Sequence, residues 1–253
     1  MTLRQAAGSA PRSVRMTDAL RDTERAASLT GATVYVVDDD ASVRKSLERL
    51  LGSVGYRVQT YGSAREFLAH PRLSLEGPQC VILDIRMPGI GGLELQLSLR
   101  DSGASLPIVF ATGFGDVTSS VRAMKIGAVD FLTKPIDHQE LLAAVERGLA
   151  LDKELRRANA LLGALKKRVA RLTPRERQVF ALVVTGMLNK QIAGRLGTCE
   201  RTIKVHRARI MRKMEAGSVA ALVRMAVRLG QEIPTPPTLQ LNPPTPPTRV
   251  DRC

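Results

Sequence analysis

The feature that most constrains this chain is a regular alternation of short apolar runs with helical patterns between residues 31 and 150. The apolar runs have strand character and lie near 33–38, 57–61, 80–84, 108–111 and 129–133. The helical patterns lie near 42–53, 63–69, 92–102, 117–126 and 138–149. Strands that alternate with helices in this way predict an α/β doubly wound fold with a five-stranded parallel sheet.

Polar side chains follow four of these runs, at the points where the predicted strands end. They are Asp38, Asp39 and Asp40 after the first run, Asp84 after the third, Thr112 after the fourth and Lys134 after the fifth. The carboxyl ends of parallel strands share one edge of a sheet, so we expect these groups to converge in one crevice. Carboxylates suit Mg²⁺, whereas an ammonium and a hydroxyl suit phosphoryl oxygens. The sequence therefore predicts a site for Mg²⁺ and a phosphoryl group, with Asp84 as the nucleophile.

From residue 151 the pattern changes to a long helix over 151–172, in which apolar residues recur at alternating spacings of four and three. These residues are Leu151, Leu155, Ala158, Leu162, Leu165, Val169 and Leu172. Such a heptad seam is typical of a coiled coil, but about three heptads is the lower limit for that inference and Gly163 weakens the pattern. A dimer contact and a monomeric linker helix that lies on a domain therefore both remain open.

Residues 173–230 predict a small all-α domain of four helices. Within it, a helix over 190–196, a tight turn and a second helix over 200–214 form a helix-turn-helix pattern. Lys and Arg outnumber Asp and Glu by 13 to 3 in residues 171–230, whereas in residues 31–150 the numbers are 12 and 14. This difference favours a nucleic acid as partner of the second part, although a solvated basic surface or an acidic lipid is compatible with the same charge.

Both ends of the sequence differ in composition from the two predicted domains. Residues 1–30, rich in Ala, Ser, Thr and Arg, predict a disordered extension, and the Pro- and Thr-rich residues 231–253 predict a disordered tail.

The cysteines indicate the compartment in which the protein resides. Three scattered cysteines argue against a disulfide framework and favour a reducing compartment. No apolar run reaches the roughly 18 residues of a membrane-spanning helix. We therefore expect a cytoplasmic protein that has no membrane partner.

Residues 31–150 resemble the CheY-like receiver domain of bacterial two-component response regulators. The resemblance rests on the acidic cluster, on Asp84 with Met87-Pro88-Gly89 behind it, on Thr112-Gly113 and on Lys134-Pro135. The residues that it implies are Asp84 as phosphoacceptor, Asp38, Asp39, Asp84 and the carbonyl of Arg86 as Mg²⁺ ligands, Thr112 and Lys134 as phosphate contacts, and Thr112 with Phe131 as a switch pair. It also implies a cis bond between Lys134 and Pro135.

The stretches 172–177, 189–193 and 201–206 resemble the LuxR-type helix-turn-helix. Carried over by position, the residues at or near DNA are Lys190, Arg201, Thr202, Lys204, Val205, His206 and Arg207. One departure is Cys199, which stands where the family usually has a capping Ser and is a poorer cap.

Together the two parts resemble response regulators of the FixJ/NarL class. The resemblance implies a transcription factor that accepts a phosphoryl group on Asp84 from a sensor histidine kinase, dimerises and binds promoter DNA. RNA polymerase is a further expected partner, and no turnover enzyme is expected.

Two other functions remain open on the sequence. Asp38-Asp39-Asp40 after a strand imitates the Asp-x-Asp signature of haloacid-dehalogenase-type phosphatases, but residues 136–150 lack the acidic pair that this family needs. Turnover of a phosphate ester would identify such a phosphatase. A DNA-binding regulator that acts independently of phosphorylation would have the same architecture, although the complete set of acceptor residues argues against it.

Overall fold

The computed structural model describes residues 31–69, 77–103, 106–113 and 117–230. The chain divides into two compact units, the first ending at Arg156 and the second beginning at Arg157. The extension and the tail predicted for residues 1–30 and 231–253 lie outside the described residues.

A five-stranded parallel sheet forms the centre of the first unit, with the strand order β2-β1-β3-β4-β5. Its strands are β1 (Thr33–Val37), β2 (Arg57–Tyr61), β3 (Gln79–Leu83), β4 (Ile108–Thr112) and β5 (Asp130–Thr133). Every residue of β1, β3 and β4 is buried, as expected for parallel strands covered on both faces. The predicted doubly wound fold is confirmed.

Five helices follow the strands in turn. They are α1 (Ala41–Ser53), α2 (Ala64–Ala69), α3 (Gly92–Asp101), α4 (Val117–Ile126) and α5 (His138–Ala170). Apolar residues of α1 and α5 pack on one face of the sheet, and those of α2, α3 and α4 pack on the other. Asp40 caps α1 by accepting hydrogen bonds from the backbone N–H groups of Ser42 and Val43.

The helices predicted over 138–149 and 151–172 form one continuous helix, α5, which ends at Ala170. No Gly or Pro lies between Gly148 and Gly163, so nothing in the sequence interrupts the helix there. The heptad seam is not uniform along it. Leu165 and Leu172 are buried within the second unit, whereas Leu151 is 44% exposed. The buried positions support the interpretation that this part of the seam packs within its own chain.

The second unit continues with four short helices around a core of its own. They are α6 (Pro174–Val183), α7 (Asn189–Arg195), α8 (Glu200–Met214) and α9 (Val219–Arg228). Buried Phe180, Ile192, Ile203 and Leu222 come from the four helices in turn. The predicted all-α helix-turn-helix domain is thereby confirmed. Among the described helices none is long and apolar enough to cross a membrane.

Candidate functional site

Three carboxylates predicted to converge do so at the edge where β1 and β3 end. One oxygen each from Asp38, Asp39 and Asp84 lies within 4.8 Å of the others. Backbone hydrogen bonding fixes this arrangement, because the Asp84 N–H donates to the Val37 carbonyl at 2.9 Å. Asp38 and Asp84 are 2% and 7% exposed, whereas Asp39 is open to solvent. A cluster of oxygen ligands with one open side fits a hard divalent cation that retains some of its waters.

Lys134 lies directly against these acids. Its Nζ is 2.5 Å from Asp38 Oδ2 and 3.1 Å from Asp84 Oδ2. The Lys134 N–H donates to the Thr112 carbonyl at 2.7 Å, which holds the end of β5 beside that of β4, and the Lys134–Pro135 bond is cis. One ammonium offsets only one of the three carboxylate charges, so the cluster would accommodate a divalent cation as well.

The protonation of Asp38 and Lys134 follows from burial and from their pairing. Burial raises the pKa of Asp38, and this effect outweighs the lowering by the hydrogen bond from Lys134. Burial lowers the pKa of Lys134, but the hydrogen bond and charge of Asp38 together with the charge of Asp84 outweigh it, so that the Lys134 pKa is raised overall. Lys134 is therefore a permanent cation at neutral pH.

Thr112 and Phe131, the predicted switch pair, lie on neighbouring strands. Phe110 pairs with Phe131 and Thr112 pairs with Thr133 across β4 and β5. Because alternate residues of a strand share a face, Thr112 and Phe131 lie on the same side of the sheet, the side that α2, α3 and α4 cover. Thr112 is buried and Phe131 is half-buried.

The loop after β3 folds back on Asp84. The Arg86 N–H donates to Asp84 Oδ1 at 3.3 Å. A Cβ atom at Gly92 would lie 2.2 Å from the Asp84 carbonyl oxygen, so only glycine allows α3 to begin this close to the site. Sequence reasoning missed Gly92, for which the Gly-Gly pair at 91–92 was the available signal.

Sequence reasoning also missed Arg44. Its Nη1 donates to the Asp38 carbonyl at 2.6 Å and so ties α1 to the acidic cluster. Its sequence position, six residues after Asp38 on α1, carries no distinctive signal for this contact.

The predicted DNA residues do not share one environment on α7 and α8. Lys190, Arg201, Lys204 and Val205 are exposed, whereas Thr202, His206 and Arg207 are half-buried. Arg207 is among the residues predicted at or near DNA, but its Nη1 donates to Asn189 Oδ1 at 2.9 Å. Arg207 therefore joins the two helices of the motif. At the start of α8, Cys199 makes no capping side-chain hydrogen bond, as expected for a poor cap.

Glu176 holds the other end of α8 in place. Its Oε2 accepts from Lys213 Nζ at 2.6 Å and from the Thr173 N–H at 2.8 Å. Burial raises the pKa of Glu176, but the Lys213 hydrogen bond and the Thr173 backbone hydrogen bond outweigh it, and the pKa is lowered overall. The ionised carboxylate therefore cross-links α6 to α8.

Comparison with known proteins places both units in described families. The model of the response regulator receiver domain matches residues 34–146, and that of bacterial regulatory proteins of the luxR family matches residues 170–226. Nodulation protein W of Bradyrhizobium diazoefficiens is 46% identical over 79% of this chain and 88% of its own. The transcriptional regulatory protein FixJ of the same organism is 43% identical over 79% and 97%. The solved structure of the response regulator StyR has a TM-score of 0.69 and 47% identity, and covers 78% of this chain and 99% of its own.

Proposed function

This chain belongs to the FixJ/NarL class of response regulators, and we propose that phosphorylation of Asp84 controls its binding to promoter DNA. The observation that carries the proposal is the convergence of Asp84, Asp38 and Lys134 at one end of the sheet. The partners follow from the same class: a sensor histidine kinase for the first unit and promoter DNA for the second.

Asp84 is the nucleophile in this proposal. Its carboxylate oxygen attacks the phosphorus of a phosphohistidine on the kinase, so that a P–O bond forms, the P–N bond breaks and the imidazole nitrogen keeps the electron pair. Mg²⁺ held by Asp38, Asp39, Asp84 and the carbonyl of Arg86 would supply positive charge that offsets the carboxylates and the phosphoryl oxygens. The reaction is a self-catalysed transfer to the protein, and its product is a signal.

Lys134 and Thr112 receive the phosphoryl group. The ammonium, already within hydrogen-bond distance of Asp84, contacts a phosphoryl oxygen by a charge-assisted hydrogen bond. The Thr112 hydroxyl moves towards a second oxygen, and the Phe131 ring turns into the space that it leaves. Because both residues lie on one face of β4 and β5, this movement alters the surface formed by α4, β5 and α5.

The altered surface favours a dimer, which binds DNA through its two copies of the helix-turn-helix, α7 and α8. Lys190, Arg201 and Thr202 contact phosphates, whereas Lys204, Val205 and His206 reach base edges in the major groove. A dimer places two such helices on two half-sites, and the second contact gains effective concentration. RNA polymerase is the partner that the bound regulator meets at the promoter.

Intact-mass analysis tests the proposal. A small phosphodonor with Mg²⁺ should add one phosphoryl group to the full chain, and Asp84→Asn should abolish the addition because the nucleophile is lost. Asp101→Asn is the matched control, since Asp101 is an exposed acid on the same unit. Equal labelling of Asp84→Asn would place the acceptor elsewhere, and repeated hydrolysis of a phosphate ester would instead favour the phosphatase.

A further inference from the structure

Asp152 is a buried acid that the proposed mechanism does not use. It lies on α5, is 2% exposed and accepts the backbone N–H of Gln79, the first residue of β3, at 2.8 Å from Oδ2. Arg156, one helical turn later, forms an ion pair with the same oxygen. A buried carboxylate requires such partners, so its position is defined by the sheet.

The contact takes the place of a backbone hydrogen bond in the sheet. Two residues further along β3, the Val81 N–H donates at 2.9 Å to the carbonyl of Pro107, the residue before β4. Alternate N–H groups of a strand point to the same neighbour, so the Gln79 N–H faces the same edge and meets a side chain of α5 instead. Buried N–H groups need an acceptor, and Asp152 supplies it.

The neighbouring turn of α5 lies equally close to β3. Gly148 is one turn before Asp152, and a Cβ atom there would lie 2.6 Å from Cys80 Sγ. Residues four apart share a helix face, so Gly148 and Asp152 together seat α5 on the beginning of β3.

This arrangement connects α5 to the acceptor site by two routes. β3 is buried along its whole length and leads directly from the Asp152 contact to Asp84. The start of α5 follows Lys134, which contacts Asp84. Beyond Arg156 the same helix continues into the second unit.

We propose that Asp152 couples the phosphorylation state of Asp84 to the DNA-binding unit by fixing α5 to the beginning of β3. The inference rests on the proposed function. Asp152 touches no reacting atom and is a positioning residue. Without its contact, Asp84 is still phosphorylated, but β3, which leads to Asp84, no longer holds α5 in position.

Full-length variants of Asp152 and Arg156 test the coupling. Asp152→Ala removes the acceptor, Asp152→Asn keeps an acceptor oxygen for Gln79, and Arg156→Gln removes the ion pair with Asp152. DNA affinity is measured with and without a phosphodonor, and labelling is followed by intact mass. Coupled sites typically show gains in affinity of roughly 5- to 150-fold. We expect Asp152→Ala to reduce the gain in DNA affinity on phosphorylation, because only the route through Lys134 remains, while its labelling and unphosphorylated DNA affinity stay unchanged. The other two variants should retain it.

Each outcome decides between the inference and the function on which it rests. A wild-type chain that is not labelled at Asp84, or whose DNA affinity does not respond, contradicts both. A responsive wild-type chain with an equally responsive Asp152→Ala variant contradicts only the inference. If Asp152→Ala does not fold, hydrogen exchange of the wild-type chain decides. Phosphorylation should change exchange in both 79–83 and 148–156, and a change in 79–83 alone would overturn the coupling.

Discussion

Ion pairs of the second unit differ in how much they stabilise its fold, because they differ in burial. The Glu176 side chain is 3% exposed and accepts hydrogen bonds from two groups. Glu200 also pairs with a lysine, Lys204, but these side chains are 47% and 65% exposed and 3.4 Å apart. Solvent and salt screen the exposed pair, whereas loss of the Glu176 charge leaves the Lys213 ammonium and the Thr173 N–H without an ionised acceptor.

We predict that Glu176→Gln lowers the free energy of unfolding of the second unit by about 1–3 kcal/mol at neutral pH. The folded-state pKa of Glu176 is lowered, so the stability from its charge is present above the unfolded pKa and is lost as pH falls through the folded pKa. The difference from the wild-type chain should therefore shrink in acid. Glu200→Gln is the control and should cost less than about 1 kcal/mol.

Two optical signals separate the units in this measurement. The three tyrosines, Tyr35, Tyr56 and Tyr61, are all in the first unit and the chain has no tryptophan. Glu176→Gln should therefore shift the unfolding seen by far-ultraviolet circular dichroism without shifting that seen by tyrosine fluorescence. A shift in both signals, or a difference that grows in acid, would contradict the role assigned to Glu176.

Among the elements, α8 has basic residues in two different environments. Lys204 is exposed, whereas Arg207 is half-buried and bound to Asn189 of α7. Ile203, Ile210 and Met214 fix the orientation of the helix by packing in the core. The same helix must therefore present cations outward while it is held rigidly from within.

We predict that Lys204→Ala and Arg207→Ala both weaken DNA binding by the full-length chain, for different reasons. Lys204 is proposed to reach a base edge, so Lys204→Ala should cost about 1–3 kcal/mol at one base position. If Lys204 contacts phosphate instead, its loss should lower the salt slope by roughly one unit. Arg207→Ala also breaks the link to Asn189, so it should weaken binding more broadly.

Titrations at two salt concentrations decide the matter. Lys45→Ala, an exposed lysine on α1, is the matched control for loss of one positive charge. Unchanged affinity and salt slope in both α8 variants would show that another helix reads DNA.

At the scale of the whole molecule, the exposed apolar residues indicate where two copies could meet. Val121 and Met124 on α4 are 45% and 48% exposed, and Leu151 on α5 is 44% exposed. Leu165 and Leu172 of the seam are buried in their own chain, so a coiled coil along the full seam would require them to leave the second unit. The face that includes α4 and the first part of the heptad seam, near Leu151, are the better surfaces for a dimer.

We predict that phosphorylation promotes dimerisation of the full-length chain, because the movement of Thr112 and Phe131 alters the face that includes α4. Sedimentation with and without a phosphodonor should show a larger mass only when the donor is present. Asp84→Asn should remain at the lower mass in both conditions. An unchanged wild-type mass despite complete labelling would refute the prediction.

The sequence alone determined the doubly wound sheet, the helix-turn-helix and the acidic cluster. Strand and helix periods are local patterns, and a parallel sheet brings the ends of its strands to one edge whatever the details of packing. Asp38, Asp84 and Lys134 could therefore be placed together from their positions after apolar runs.

Only the tertiary structure decided which side chains hold the elements in place. Asp152 meets Gln79 across 73 positions and Lys213 meets Glu176 across 37, and no local pattern specifies either pair. Arg207 is predicted at or near DNA from its position in the helix-turn-helix, and only the packing of α7 against α8 shows that it also binds Asn189. The sequence specified the elements through the periods of its apolar residues, whereas these contacts depend on which faces meet in three dimensions.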